Sequence, residues 1–186
     1  MTLTLRRLRL KAVWLLVVPF LWLARPEPAL LAAGVMLAAL GLALRAWAAG
    51  VIHKERELSV GGPYAHTRNP LYLGSFLIGL GVTVAGGRWV FVLAFVAFFA
   101  WIYTRTIRSE ARHLRDLFGE GYQEYARHVP VFLPRPLPWR RQETPASPGR
   151  GAFSLERWRR NREYEALLGV VAGFAFLVVK MLWTAS

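Results

Sequence analysis

Gly61-Gly62-Pro63-Tyr64-Ala65-His66-Thr67-Arg68-Asn69-Pro70-Leu71-Tyr72-Leu73-Gly74 is the stretch on which the organisation of this chain turns. No other long run before residue 105 places turn formers, a cation, an amide and aromatics between strongly apolar segments. Gly61, Gly62 and Pro63 end whatever precedes them, because glycine relaxes the backbone and proline removes a donor. Pro70 biases Asn69 away from helical geometry and suits the first turn of a following helix. The stretch reads as an irregular loop ending at a helix N-terminus, where free backbone N–H groups suit a carboxylate or phosphate. Glycines and prolines alone fit a plain turn between two membrane helices equally well.

The surroundings of this loop are apolar. The 186 residues are 55% hydrophobic, with mean hydropathy +0.31, too apolar for an ordinary soluble domain. Ala12–Ala24 is an uncharged run, extended by Leu8, Leu10 and the stem of Lys11 into a first span over about residues 10–25. The basic N-terminus resembles a signal peptide, but Leu21 to Pro26 lacks a small-residue cleavage pattern, so a retained helix is expected. A second span over 28–52, rich in Ala and Gly, reads as a central packing helix. Spans at 71–86 and 88–104 flank Gly86-Gly87-Arg88 as a tight hairpin, with Gly74, Gly79 and Gly81 as packing residues. A last span covers 166–183, with Lys180 snorkelling near its end. Leu114, Leu117, Phe118, Tyr122 and Tyr125 share a helical period within the polar segment 105–165. Pro134 to Gly151 reads as a loop.

Charge orients the spans. Segments 1–11, 53–70 and 105–165 carry 20 of the 24 Lys and Arg, whereas the two opposite loops carry only Arg25 and Arg88. The expectation is one all-α polytopic membrane domain of about five spans, with a cytoplasmic N-terminus and an outside C-terminus. It puts the 53–70 loop and the 105–165 segment together on the cytoplasmic side. The net charge of +13 has the same origin, so no nucleic-acid partner is expected. There is no cysteine, which excludes disulfides and thiol chemistry. His53, His66, His113 and His128 form no i, i+4 pair and no HExxH, so no metal is expected.

Glu110 lies just past the end of the fourth span. It is either a solvated carboxylate paired with Arg108 or Arg112, or an acceptor for ligand hydroxyls. Arg45, inside the second span, costs a few kcal/mol to insert unless it snorkels or faces a cavity. Tyr122 and Tyr125 also fit interfacial aromatics.

Two blocks carry a resemblance. Gly62-Pro63-Tyr64-x-x-x-Arg68-Asn69-Pro70-x-Tyr72-x-Gly74 resembles the Gly-x-Tyr-x-x-x-Arg-His-Pro-x-Tyr-x-Gly signature of the isoprenylcysteine carboxyl methyltransferase and phospholipid methyltransferase superfamily. Glu110-x-x-x-Leu114-x-x-x-Phe118-Gly119-x-x-Tyr122-x-x-Tyr125-x-x-x-Val129-Pro130, followed by Leu133-Pro134, is similar to its second block. The resemblance implies a cytoplasmic S-adenosylmethionine site and a lipophilic acceptor that enters from the bilayer. It places Arg56, Glu57, Leu58, Ser59, Tyr64, Asn69, Pro70, Leu71, Tyr72 and Glu110 at the cofactor. Arg68, Glu110 and His66 are the catalytic candidates and Arg45, Arg105 and Arg108 the acceptor-side ones, although the family's substrate-side arginine has no match in register and Arg105 and Arg108 are only neighbours of that position. Asn69 stands where the family has histidine, and Ala111 where it has a second glutamate.

The sequence reading is therefore an integral membrane methyltransferase, expected in a bacterial cytoplasmic membrane, acting on the carboxylate, amine or hydroxyl of a lipid or isoprenoid-like acceptor. A sterol-reductase-like membrane enzyme using NADPH and a non-catalytic membrane assembly protein are its alternatives.

Overall fold

Glycine and proline set both the limits of the helices and how closely they pack. The computed structural model describes residues 16–52, 57–140 and 152–185, and no strand occurs among them. Residues 16–23 are helical; the remainder of the expected first span lies outside the described residues. Then follow α1 (Pro28–Val51), a 3₁₀ turn (Gly62–Ala65), α2 (Pro70–Ala85), α3 (Trp89–His128), α4 (Leu155–Arg160) and α5 (Glu163–Ala185). Helices α1 and α2 each begin on a proline, where the missing N–H costs nothing.

The protein is an all-helical integral membrane protein. Pro28–Val51, Trp89–His128 and Glu163–Thr184 are long and apolar enough to cross a bilayer. Their outer faces expose Met36, Leu40, Trp89, Leu93, Val179 and Trp183, as lipid contact requires. Helix α2 has 16 residues, about 24 Å of rise against a hydrocarbon core of about 30 Å. The loop before it therefore lies close to the depth of the membrane edge.

Small residues bring α1 and α2 together. A Cβ on Gly41 would fall 2.6 Å from the Gly74 carbonyl oxygen, and one on Gly74 would fall 2.7 Å from that of Gly41. Gly34 and Gly81 repeat the contact two turns away. Lipid drives no hydrophobic association between helices, so this close backbone approach supplies the dispersion contact that holds the pair. Gly79 faces the Phe95 ring of α3 instead. At the far end, Arg25 N–H donates to Gly86 O at 2.9 Å. Helix α5 closes the bundle there through Phe174 and Leu177, packed with Ala24, Ala38 and Ala85. Lys180 donates to the carbonyls of Leu21 and Trp22, capping the end of the helix over 16–23.

Helix α3 is where structure and sequence period part. Gly119 has φ 51° and ψ −125°, a conformation that only glycine adopts readily. From Phe99 to Phe118 the helix rises about 28 Å. Even so, the ring centroid of Phe132 lies only 6.1 Å from that of Phe99. The chain must therefore reverse at Gly119 and come back. On return, Tyr122 and Tyr125 are buried against Leu58, Val60, Ala111, Leu114 and Phe118. They are interior side chains, not interfacial ones, while Leu117 points outward at 45% exposure.

Candidate active site

The reversal brings the two sequence blocks edge to edge. Arg68 N–H donates to Pro130 O at 2.9 Å, Arg135 N–H to His66 O at 2.9 Å and Trp139 N–H to Ala65 O at 3.0 Å. Side chains reinforce this antiparallel clasp. The Tyr125 hydroxyl donates to Tyr64 O at 2.7 Å, Thr67 Oγ1 to Phe132 O at 3.0 Å and Asn69 Nδ2 to Val131 O at 2.8 Å. Buried backbone groups of an irregular loop need such partners. The loop is irregular and ends at Pro70, as its glycines and prolines require.

Between the clasp and α3 lies a cavity of about 540 Å³, within the range of small-molecule sites. A minor part of its wall is polar, with Arg68, Asn69, Arg108, Glu110 and Tyr122. Most of it is apolar and aromatic, with Phe76, Val96, Phe99, Ala100, Tyr103 and Phe132 among its residues. Phe99 and Tyr103 stack with centroids 3.9 Å apart, and Tyr72 meets Tyr103 at 5.1 Å.

Two polar groups define the polar part. Glu110 Oε2 accepts from the Tyr72 hydroxyl at 2.9 Å, which fixes the carboxylate between α2 and α3. Arg68 donates from one terminal nitrogen to the Tyr122 hydroxyl at 3.4 Å. Its Nε is buried with no hydrogen-bond partner among the described residues. Burial raises the phenol of Tyr64 far above its ordinary value, and nearby Tyr125, Glu110 and Glu163 add to this. Tyr125 is raised by burial as well, with Arg68 opposing. Both remain neutral hydroxyls at physiological pH.

The predicted site residues separate into groups. Arg68, Asn69, Arg108 and Glu110 line the cavity, and Tyr72 joins it through Glu110. Tyr64 and Leu71 pack beneath the loop against Ala48 and Val51, Pro70 is buried at the helix start, and Leu58 packs on the tyrosine cluster. Ser59 is half-buried and Glu57 exposed; Arg56 lies outside the described residues. His66 does not line the cavity. Its Nδ1 lies 2.8 Å from Arg135 O; because a carbonyl only accepts, that nitrogen carries the proton. Arg105 lies over the Trp101 ring at 5.3 Å.

Arg45 is also away from the cavity wall. Its Nε and a terminal nitrogen bind Glu163 at 3.0 and 2.8 Å, and its other terminal nitrogen binds Ser75. Glu163, 7% exposed, starts α5, which extends the last helix beyond the expected 166–183. A lone arginine in a span was the available signal: its insertion cost calls for a partner, but nothing in the spacing singles out a glutamate 118 positions away. Phe76 and Phe132 of the aromatic wall also escape sequence reasoning, since they meet only through the reversal at Gly119.

The site fits the cofactor that the sequence resemblance implies. A buried guanidinium nitrogen with spare donor capacity suits a carboxylate, Glu110 can accept from hydroxyls, and aromatic walls suit a purine ring. Asn69 and Arg68 would hold the polar end of S-adenosylmethionine together with Glu110.

The chain is 37% identical over 122 residues to the cobalt-zinc-cadmium resistance protein CzcN of Cupriavidus metallidurans, covering 63% of this chain and 55% of that protein. It is 37% identical over 115 residues to the nickel-cobalt-cadmium resistance protein NccN of Alcaligenes xylosoxydans, covering 60% and 51%. It is 32% identical over 82 residues to the protein-S-isoprenylcysteine O-methyltransferase of Schizosaccharomyces pombe, covering 44% and 35%. The chain thus spans about half the length, or less, of the curated relatives it matches. No solved structure matches it significantly. The phospholipid methyltransferase family model matches residues 29–121, half of the chain, and the chain belongs to that family.

Proposed function

We propose that this protein transfers a methyl group from S-adenosylmethionine to a lipophilic acceptor held at the membrane edge. The observation that carries the reading is the two-part cavity: Arg68 and Glu110 at a polar end, and Phe76, Phe99 and Phe132 at an apolar end facing the spans.

When bound, S-adenosylmethionine supplies a sulfonium-activated methyl group, so the protein mainly aligns and dehydrates the partners. Arg68 offers N–H donors for a carboxylate. Tyr72, donating to Glu110, holds that carboxylate in one orientation for ligand hydroxyls. The stacked Phe99 and Tyr103 rings and Phe132 exclude water from the apolar part. An acceptor carboxylate needs no base. An amine or hydroxyl acceptor would pass its proton to Glu110, the carboxylate in the cavity wall, because His66 is occupied by the clasp. Arg108 also lines the cavity and would meet an anionic acceptor group. The charge asymmetry supports a site on the cytoplasmic side of the membrane, which the proposal takes to be a bacterial inner membrane.

The metal-resistance names of two relatives fit this reading if the methylated acceptor is a membrane component. Metal ligation by this chain is not part of the proposal: among the described residues no three His, Asp or Glu converge. Calorimetry on the protein in detergent tests the reading. S-adenosylhomocysteine is expected to bind and NADPH to give no heat; the reverse pattern would favour a reductase.

A further inference from the structure

From the second sequence block onward, the polar segment 105–165 reads as extramembrane. The structure carries part of it back. After the reversal at Gly119, the chain runs from Val129 into Pro130-Val131-Phe132-Leu133-Pro134-Arg135-Pro136-Leu137-Pro138. We infer that Val131–Leu137 is a lipid-contacting flap, seated in the interfacial layer of the leaflet on the site's side.

Depth is the first observation. The Phe132 ring lies 5.7 Å from Phe76 and 6.1 Å from Phe99, centroid to centroid. Phe76 is about 9 Å along α2 from its start at Pro70, so Phe132 sits inside the level at which α2 begins. Phe99 belongs to the apolar part of α3, whose neighbouring Leu93 and Trp101 are exposed. The flap is therefore continuous with the lipid-facing surface of a span.

Composition is the second observation. Leu133 and Leu137 are 75% and 73% exposed, and Val131 is exposed too. In water, three large aliphatic side chains on a loop of nine residues would be an unsupported apolar patch; at a membrane edge they bury their surface among acyl chains. Irregular backbone at that depth needs its polar groups satisfied by protein. Here the carbonyls of Val131 and Phe132 accept from Asn69 and Thr67, and the four prolines at 130, 134, 136 and 138 carry no N–H. Arg135 meanwhile turns to the His128 carbonyl and not outward into lipid. Trp139, stacked on His128, closes the segment with a side chain suited to the headgroup layer.

The absence of cysteine allows a direct test that is independent of the methyl-transfer reading. Leu133→Cys and Leu137→Cys are each labelled with an environment-sensitive fluorophore, reconstituted in phosphatidylcholine–phosphatidylglycerol vesicles, and compared with Glu120→Cys at the exposed turn of the reversal. Both leucine positions are mostly exposed, so neither change touches the core. The expected result is blue-shifted emission at 133 and 137, lost on adding lipids with a doxyl group high on the acyl chain and protected from aqueous iodide. At position 120 the pattern is reversed. Iodide quenching at 133 and 137 equal to that at 120, with no doxyl quenching, would overturn the inference.

Discussion

Glu163→Gln isolates what the ion pair of the last helix contributes to stability. In the native protein the carboxylate receives two charge-assisted hydrogen bonds from Arg45, at 3.0 and 2.8 Å. Glutamine keeps one acceptor oxygen and presents an NH2 group to a donor-only guanidinium. One charge-assisted bond, worth about 1.5–3 kcal/mol, is lost, and Arg45 is left without its counter-charge among apolar helices. Breaking a buried pair costs about 3–5 kcal/mol. Arg45 is 23% exposed and keeps Ser75, so we expect somewhat less, about 2–4 kcal/mol. Unfolding in mixed dodecyl maltoside and dodecyl sulfate micelles measures it. The double variant Arg45→Met/Glu163→Leu removes both charges and is expected to recover most of the loss, because apolar replacement of a buried pair is often neutral. The resulting coupling energy separates the pair from any general effect of position 163. A loss below about 1 kcal/mol in the single variant, or a double variant no more stable than the single one, would refute the reasoning.

Other predictions concern the cavity and its frame. Glu110→Gln removes one charge-assisted acceptor and is expected to weaken S-adenosylhomocysteine by about 1.5–3 kcal/mol, at least about tenfold, by calorimetry. Gly119→Ala meets no atom within 4 Å, so its cost is backbone strain alone, about 1–3 kcal/mol. It should show as lower stability and weaker ligand binding together. Tyr64 and Tyr125, raised by burial, keep their protons when the unfolded chain ionises near pH 10. The folded state then binds more protons, so stability is full below about pH 10 and falls above it, by up to about 1.4 kcal/mol per pH unit for each tyrosine. Unfolding midpoints across that range check this, and Tyr64→Phe is expected to lessen the slope.

What could be read in the sequence is what depends on near neighbours. The glycines and prolines of 61–74 specify a loop and a helix start within their own span, and Pro70 begins α2. Gly41 and Gly74 mark packing faces because glycine leaves room wherever a second helix comes. The parts not legible depend on one backbone angle and on distant partners. A 3.6 period runs through Leu114, Phe118, Tyr122 and Tyr125 whether or not the helix continues, so the reversal at Gly119 leaves no trace in it. That single break decides whether the tyrosines are interfacial or buried. It also decides whether Phe132 touches Phe99. For Arg45, the price of burial announces that a partner exists, while only the fold reveals Glu163.

The central claim is tested most directly by offering methyl-labelled S-adenosylmethionine and a bacterial membrane lipid extract to the protein reconstituted in nanodiscs. The account predicts label in the organic-extractable phase, dependent on the protein and sharply reduced in Glu110→Gln. No transfer into that phase from protein shown to bind S-adenosylhomocysteine would contradict it.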